Sequence, residues 1–240
     1  MGDQGTKRYD VVVPGGLGEP PVAPEPLGWV SLMVKNLLIL PGGDQFVAAK
    51  DLSRSPDGHY ACAAKRKDDG LWVVFHIVPR SGFAEGLVKS VPHALVLGLT
   101  LAGQPPRPFY VGYPAEGAAD NRPRVYWGGS KGEPFDTVNH EELHWFDGEP
   151  AYPASLGGKA YVIQGTRRSE PCDEVIPPLL FVAGRILYRA RFGTEIVLFW
   201  GTAKSKPPCD HIAVPTFDGK EIEAWGTQGT RLYRLSFRLK

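Results

Sequence analysis

The sequence of 240 residues contains few cysteines and no long apolar run. Its three cysteines, Cys62, Cys172 and Cys209, are far apart, odd in number and outside any metal-type spacing. They predict free thiols in a reducing compartment instead of a disulfide framework. No apolar stretch approaches the roughly 20 residues that a membrane-spanning helix requires. The polar N-terminus has no signal-peptide core, so we expect a non-secreted, cytoplasmic protein.

The chain also lacks a charge excess and the common catalytic signatures. Its 27 Lys and Arg residues nearly balance 26 Asp and Glu residues, for a formal net charge of +1. This balance gives no global attraction to nucleic acid or to an anionic membrane. Patterns of the GxSxG, GxGxxG and Walker types are absent. These absences favour a protein without catalytic activity.

Glycine, proline and aromatic residues are plentiful, with 29 Gly, 23 Pro and 11% aromatic residues. This composition is typical of many short strands joined by turns. A chain of this length that is 42% hydrophobic can bury one substantial core. No internal repeat is predicted. We expect a single all-β domain over residues 29–240, preceded by a Pro/Gly-rich arm over residues 1–28.

The most clearly patterned segment covers residues 178–201 and predicts a β-hairpin. Apolar and cationic side chains alternate in its first half, with Ile186, Tyr188, Ala190 and Phe192 on one side and Arg185, Arg189 and Arg191 on the other. A period of two is typical of a strand with one buried and one solvated face. Gly193 occupies the turn, and the apolar run 196–200 predicts a strand that is buried on both faces.

Further strands are expected at residues 29–40, 94–102, 109–113, 124–127, 159–165 and 231–240. A second hairpin is expected over residues 60–78, around the turn pair Asp69-Gly70. Between residues 128 and 157 the alternation fails, and the segment predicts a loop with one helix at 139–145. About eight to ten strands in one chain indicate a β-sandwich, with a jelly roll or a related Greek key as the expected topology.

The sharpest motif match is His140-Glu141-Glu142-Leu143-His144. On a helix, the HExxH spacing places two imidazoles one turn apart to bind zinc, with Glu141 as general base. Asn139 and Glu142 form a capping pair, which predicts that the helix begins at His140. We expect a short solvated helix, and a zinc-dependent hydrolase based on this motif is an alternative.

Three tryptophans, Trp127, Trp145 and Trp225, suggest a second alternative, a carbohydrate-binding module. Exposed aromatic rings are platforms on which sugars stack, and these side chains would provide three of them. Core packing is the commoner fate of tryptophan. Exposed tryptophan rings would favour the carbohydrate-binding module, and buried rings would favour core packing.

The last predicted strand, residues 231–240, has one cationic face. Arg234, Arg238 and Lys240 alternate with apolar residues along it. We interpret the segment as an edge strand that is protected by charge. A strip that contacts phosphates of a nucleic acid is the alternative.

At the N-terminus, residues 1–6 (MGDQGT) fit the N-myristoylation pattern, with Gly2 as the acceptor. Acylation of Gly2 would provide a membrane contact. An ordinary, unmodified N-terminus is the interpretation we favour.

Three segments resemble picornavirus-like capsid proteins. Residues 41–46 (PGGDQF), followed by Asp51 and Ser55-Pro56, are similar to a segment near the start of such proteins. Residues 109–117 (FYVGYPAEG) resemble the strand and turn in the middle of their jelly roll, and residues 195–208 (EIVLFWGTAKSKPP) resemble their final strand. The resemblance implies a coat subunit, and an acylated N-terminus would suit the innermost capsid peptide of that group.

These features together predict a non-enzymatic β-sandwich that self-associates into a homo- or hetero-oligomer, as a coat-like shell subunit does. The proline-rich arm and exposed strand edges would donate backbone hydrogen bonds to neighbouring copies. No cofactor is expected under this hypothesis, whereas the hydrolase alternative requires zinc.

Overall fold

The computed structural model of the chain describes residues 46–77, 88–89 and 91–239. These residues form twenty-one β-strands and one short 3-10 turn, so the predicted all-β class is confirmed. Within the same ranges, no helix has the length and apolar character that crossing a membrane requires. The predicted arm at 1–28 and the strand predicted at 29–40 lie outside the described residues.

The strands fall into five consecutive antiparallel units. The first unit contains β1 (Phe46–Arg54), β2 (Tyr60–Arg66), β3 (Trp72–Ile77) and β4 (Val88–Lys89), and the second contains β5 (His93–Ala102), β6 (Arg107–Pro114), β7 (Arg124–Trp127) and β8 (Ser130–Lys131). The third contains β9 (Thr137–Val138), the 3-10 turn His140–Glu142, β10 (His144–Phe146), β11 (Glu149–Leu156), β12 (Lys159–Gln164) and β13 (Arg167–Arg168). The fourth contains β14 (Glu174–Val182), β15 (Arg185–Phe192), β16 (Glu195–Trp200) and β17 (Ala203–Lys204). The fifth contains β18 (His211–Ile212), β19 (Thr216–Phe217), β20 (Glu221–Gln228) and β21 (Arg231–Arg238).

Each unit is a meander. The order β14-β15-β16-β17 of the fourth unit is also the chain order, and the first two units follow one another in one eight-stranded sheet. A jelly roll requires Greek-key connections that return a strand across its neighbours. The described sheets therefore do not confirm the predicted jelly-roll topology.

Three of the units begin with the same short motif. Pro134-Phe135-Asp136, Pro171-Cys172-Asp173 and Pro208-Cys209-Asp210 recur at intervals of 37 residues. Each motif leads into the first strand of the third, fourth or fifth unit. The expectation of no internal repeat was therefore wrong, because the repeat is a pattern of structural positions with only a few shared residues.

The aspartate of the motif has the same role in each of the three units. It accepts a hydrogen bond from the first glycine in the turn of the central hairpin, β11–β12, β15–β16 or β20–β21. The distance is 2.7 Å for Asp136 and Gly157, and 2.6 Å for the equivalent pairs Asp173–Gly193 and Asp210–Gly229. The aspartate's own backbone N–H donates to the end of the hairpin's first strand, as from Asp210 to the Thr227 carbonyl at 2.7 Å. The motif thus fixes the entry of each unit to its central hairpin.

The units pack face to face along the chain. Buried apolar clusters join the first and second units, the second and third, the third and fourth, and the fourth and fifth. Representative pairs across these four contacts are Val74 with Tyr110, Phe109 with Tyr152, Val162 with Tyr188, and Leu198 with Ile222. Successive meanders stacked in this way are the arrangement found in β-propeller blades.

The hairpin predicted around Gly193 is present as β15 and β16, and Gly193 has a φ of 62°. Its expected solvated face was wrong at Arg189, which is only 7% exposed. The Arg189 guanidinium donates to the Ile212 carbonyl at 2.9 Å and to the Pro177 carbonyl. Both faces of the fourth unit are covered by neighbouring units, so alternation along one strand could not identify a solvent side.

The other expected strands are largely confirmed, as β2 with β3, β5, β6, β7, β12 and β21. β11 was missed, since the segment 128–157 was expected to be a loop. Pro150 and Pro153 within β11 argue against a strand, because proline has no N–H for a ladder. In the fold their carbonyls still accept hydrogen bonds, from Gly165 at 2.8 Å and from Asn139 at 3.0 Å.

Candidate ligand-binding cleft

A cleft of about 890 Å³ separates the outer parts of the first and second units. The two units are joined at their first strands, where Lys50 Nζ donates to the Val96 carbonyl at 2.6 Å. Farther out, β3 faces β6, β7 and β8 across the cleft. The volume lies within the range typical of small-molecule sites in proteins, roughly 300–1,000 Å³.

One wall of the cleft is aromatic. Tyr110 of β6 and Tyr126 of β7 stack with ring centroids 5.3 Å apart and an interplanar angle of 9°. Several prolines extend this wall, whereas the Trp127 side chain lies on the opposite face of β7, in the cluster between the second and third units. Burial raises the pKa of the Tyr126 hydroxyl, which the nearby Arg124 partly offsets. The Tyr126 hydroxyl therefore stays neutral at physiological pH, and the wall presents flat aromatic surface.

His93 lies behind the aromatic wall and holds it in place. The ring is fully buried, contacts Tyr126 edge-on with centroids 4.7 Å apart, and its Nε2 lies 3.2 Å from the Tyr110 hydroxyl. A Cβ on Gly112 would lie 2.7 Å from His93, so only glycine leaves room for the imidazole. Burial lowers the pKa of His93 to about 4, which keeps the ring neutral at pH 7.

His93 is unusual among the equivalent positions of the repeat. It pairs with Trp72 of the preceding unit, as Cys172 pairs with Ala160 and Cys209 pairs with Ile196. The later units thus place an apolar residue, Phe135, Cys172 or Cys209, where the second unit places a histidine. Within the described part of the chain, His93 Nδ1 is also one of only two buried side-chain nitrogens without a hydrogen-bond partner. The second unit therefore departs from the repeat at the residue that supports the cleft wall.

The opposite wall carries a histidine pair. Nδ1 of His59 lies 3.0 Å from Nε2 of His76, and the rings stack with centroids 5.2 Å apart. His76 is buried, with 7% of its surface exposed. Burial, reinforced by the charges of His59 and Arg107, lowers the pKa of His76. His76 is therefore neutral at neutral pH, and the pair presents polar ring nitrogens to the cleft.

Two permanent cations complete the cleft, Arg107 of β6 and Lys131 of β8. Neither forms an ion pair with an Asp or Glu residue in the described part of the chain. The described residues that line the cleft include no carboxylate. The site thus combines flat aromatic surface with uncompensated positive charge.

The predicted helix at 139–145 was wrong. A 3-10 turn covers only His140–Glu142, and His144 begins β10, so the two imidazoles do not share a helix face. The expected cap is present, because the Asn139 side chain accepts from the Glu141 N–H at 3.1 Å. Glu142 accepts from His144 Nε2 at 3.1 Å and from the Leu179 N–H at 2.9 Å, and so joins the third and fourth units.

No group of three His, Cys, Asp or Glu side chains suited to a metal occurs in the ranges that the structure describes. The two predicted zinc ligands, His140 and His144, therefore have no third protein ligand among the described residues, and Glu141 has no metal site to serve there. The zinc-dependent hydrolase stays a prediction without support from the geometry of the motif.

The three tryptophans lie in three different sheets and form no common platform. Trp127 packs into the cluster between the second and third units, and Trp145 packs edge-on against Phe109 with centroids 5.6 Å apart. Trp225 is 47% exposed on the outer face of the fifth unit. Of the three predicted sugar-binding side chains, only Trp225 is exposed.

The cationic face of the last strand is largely neutralised. Arg234 pairs with Glu223 at 2.6 Å, and Arg238 lies 3.6 Å from Glu221. β21 is an edge strand among the described residues, as we predicted, and the strip that contacts nucleic-acid phosphates stays a prediction. Lys240 and Gly2 lie outside the described residues.

No family model matches the sequence, and no curated protein is significantly similar to it. The resemblance to picornavirus-like capsid proteins therefore stays a prediction.

Arg107, Tyr110, Tyr126 and Lys131 were not singled out from the sequence. They come from three strands and form no linear motif. One signal was available at His93, which follows Pro92 as Phe135 follows Pro134, so an alignment of the repeats would have identified the exceptional histidine.

Proposed function

We propose that this chain is a ligand-binding protein of the β-propeller type, and that the cleft between its first two units is the binding site. The observation that carries the proposal is the cleft itself, with its stacked tyrosines and unpaired cations. A large apolar pocket with a few polar groups is the usual form of a small-molecule site. Arg107 and Lys131 are exposed and have no carboxylate partner among the described residues, so an anionic ligand in the cleft can contact both.

Calorimetric titration with 2-naphthoate, a flat aromatic carboxylate, tests the proposal. We expect saturable binding that is lost in Lys131→Trp, because Lys131 is exposed and pairs with Tyr126, so the new indole would lie on the cleft face of the hairpin. Thr166→Trp is the control, since Thr166 is exposed in the equivalent turn of the third unit. A parent protein that gives no binding at millimolar probe, or a Lys131→Trp variant that binds normally, would refute the proposal.

Self-association, the function expected from the sequence, is a second candidate. In the described chain β21 pairs only with β20, whereas the equivalent strands β12 and β16 each have a fourth strand beside them. Leu232 and Trp225 on the outer face of the same unit are 65% and 47% exposed. An open edge beside exposed apolar side chains favours pairing with a second copy.

Sedimentation equilibrium tests this candidate. We expect a concentration-dependent oligomer that Leu232→Asp converts to a monomer. Leu95→Asp, at an exposed leucine of the second unit, should leave the oligomer unchanged. A strictly monomeric parent at high concentration contradicts self-association.

A further inference from the structure

The charges that line the cleft indicate what kind of ligand it takes. We propose that the cleft selects an organic anion with a planar aromatic body, held by Arg107 and Lys131 at its charged end and by Tyr126 along its ring. This inference rests on the proposed binding function and adds a sign of charge and a shape to it.

The sign of charge follows from what surrounds the two cations. Elsewhere in the described chain arginines usually have a carboxylate partner, such as Arg122 with Asp120 at 3.0 Å and Arg191 with Glu174 at 2.8 Å. Arg107 and Lys131 have none, although both face the cleft. An anion at that place would receive two charge-assisted contacts that the protein itself leaves unmade.

A second pocket provides an internal comparison. It has a volume of about 480 Å³ between the third and fourth units and is lined by Arg167, Arg168 and Arg185. There Arg167 pairs with Glu149 at 2.7 Å, Arg168 pairs with Glu133, and Arg185 lies over the Trp200 ring. The cations of that pocket are already occupied, so unpaired cations are a property of the first cleft and not of every gap between units.

The shape of the ligand follows from the aromatic wall. Tyr110 and Tyr126 are nearly parallel, and His93 fixes them from behind with edge contacts to both rings. A rigid wall of this kind favours a flat partner, since stacking needs ring faces that are already oriented. The histidine pair across the cleft can donate an N–H to an oxygen of the ligand.

Three probes with one ring system and different charges test the inference. We expect 2-naphthoate to bind at least tenfold more tightly than the neutral 2-naphthamide, and 2-naphthylmethylammonium to bind most weakly. The affinity for 2-naphthoate should fall as salt is raised, because partly exposed charges are screened. Binding is measured by calorimetry on the full chain.

Variants that remove one charge test whether Arg107 and Lys131 cause the preference for the anionic probe. Arg107→Gln and Lys131→Gln should each weaken 2-naphthoate binding about tenfold and leave 2-naphthamide binding unchanged, whereas Arg107→Lys should retain most of the affinity. Both side chains are exposed, so the fold should survive their replacement. Arg231→Gln, at an exposed arginine of the fifth unit, is the control and should change neither affinity.

Two failures are distinguishable. Equal affinity for 2-naphthoate and 2-naphthamide, or unchanged binding in both Gln variants, overturns the anion inference and leaves the binding function standing. Tightest binding of the ammonium probe overturns it as well. Absence of binding by all three probes overturns the proposed function together with the inference.

Discussion

Two buried cationic or protonatable side chains, His93 and Arg189, are the residues whose environment departs most from what their chemistry prefers. His93 is fully buried beside two tyrosines, and Arg189 is buried between two units with only carbonyl partners. In both cases burial lowers the pKa. Buried groups of this kind change the free energy of unfolding measurably. The direction of that change, with pH or on substitution, can be predicted.

For His93 we predict a loss of stability as the pH falls below about 6.5. The folded protein resists protonation of His93 down to about pH 4, whereas the unfolded chain takes up the proton near the ordinary value of 6.5. Between these values the free energy of unfolding should fall by up to about 1.4 kcal/mol per pH unit. His76, whose pKa is also lowered, adds in the same direction.

Urea titrations between pH 5 and pH 8 measure this slope. His93→Phe should flatten it, because phenylalanine cannot take up a proton and the third unit carries Phe135 at the equivalent position. Equal slopes in parent and variant would mean that His93 is not the source of the pH dependence of the free energy of unfolding.

For Arg189 we predict that Arg189→Met destabilises the fold by about 2 kcal/mol. The change removes a desolvated charge, which is favourable, but it leaves the carbonyls of Pro177 and Ile212 without their donor, at about 1–3 kcal/mol each. Arg191→Met, on the same strand but at a surface ion pair with Glu174, should change the free energy of unfolding by less than about 0.5 kcal/mol. Equal effects at the two positions would contradict the role of Arg189 as a link between units.

At the scale of single elements, the central hairpin recurs in the last three units, as β11–β12, β15–β16 and β20–β21. Each of the last three units closes this hairpin with the aspartate of its entry motif. The contact joins residues about 20 positions apart, so it orders the first strand and the turn at the same time. It explains why the aspartate recurs while most other residues of the units differ.

We predict that Asp210→Ala lowers the free energy of unfolding by about 1 kcal/mol, because the Gly229 N–H loses its acceptor. Asp210→Asn keeps an acceptor oxygen and should recover most of the loss. Amide exchange at Gly229 reports the contact directly and should accelerate in the alanine variant only. Unchanged exchange at Gly229 would show that solvent replaces the carboxylate at no cost.

At the scale of the whole molecule, stability should be highest in the middle of the stack. The third and fourth units are covered on both faces by buried clusters. Their central strands, β11 with β12 and β15 with β16, are the most enclosed. The two-residue strands β13 and β17 lie at the outer edge of the same units. Local opening is easiest where backbone hydrogen bonds are few and solvent-exposed.

We therefore predict that amides of β11, β12, β15 and β16 exchange most slowly with deuterium, and those of β13 and β17 most rapidly within the same units. Hydrogen exchange followed by mass spectrometry or NMR measures this gradient. Uniform protection across the four strands of a unit would indicate that each unit opens as a whole.

Much of this fold was predictable from local pattern. Alternation and turn chemistry identified the hairpins at β2–β3 and β15–β16, because both signals depend on residues within one hairpin. The helix expected at 139–145 and the loop expected over β11 were wrong for a related reason. Neighbouring units supply partners there, such as Leu179 for Glu142, and these override local preference.

The candidate site was hardly predictable. His59, Arg107 and Tyr126 are far apart in the chain, and none belongs to a motif that signals binding. The sequence singled out neither His59, which lines the cleft, nor His93, which supports its wall. The role of these two histidines depends on how the first unit packs against the second.

The sequence by itself determined the strand class and the positions of most turns, since period-two alternation and glycine placement act over a few residues. Only the tertiary structure decided that the meanders stack face to face, that Arg189 is buried, and that a cationic, aromatic cleft opens between the first two units. The physical reason is that burial and charge compensation depend on contacts between segments distant in the chain, which no single stretch of sequence encodes.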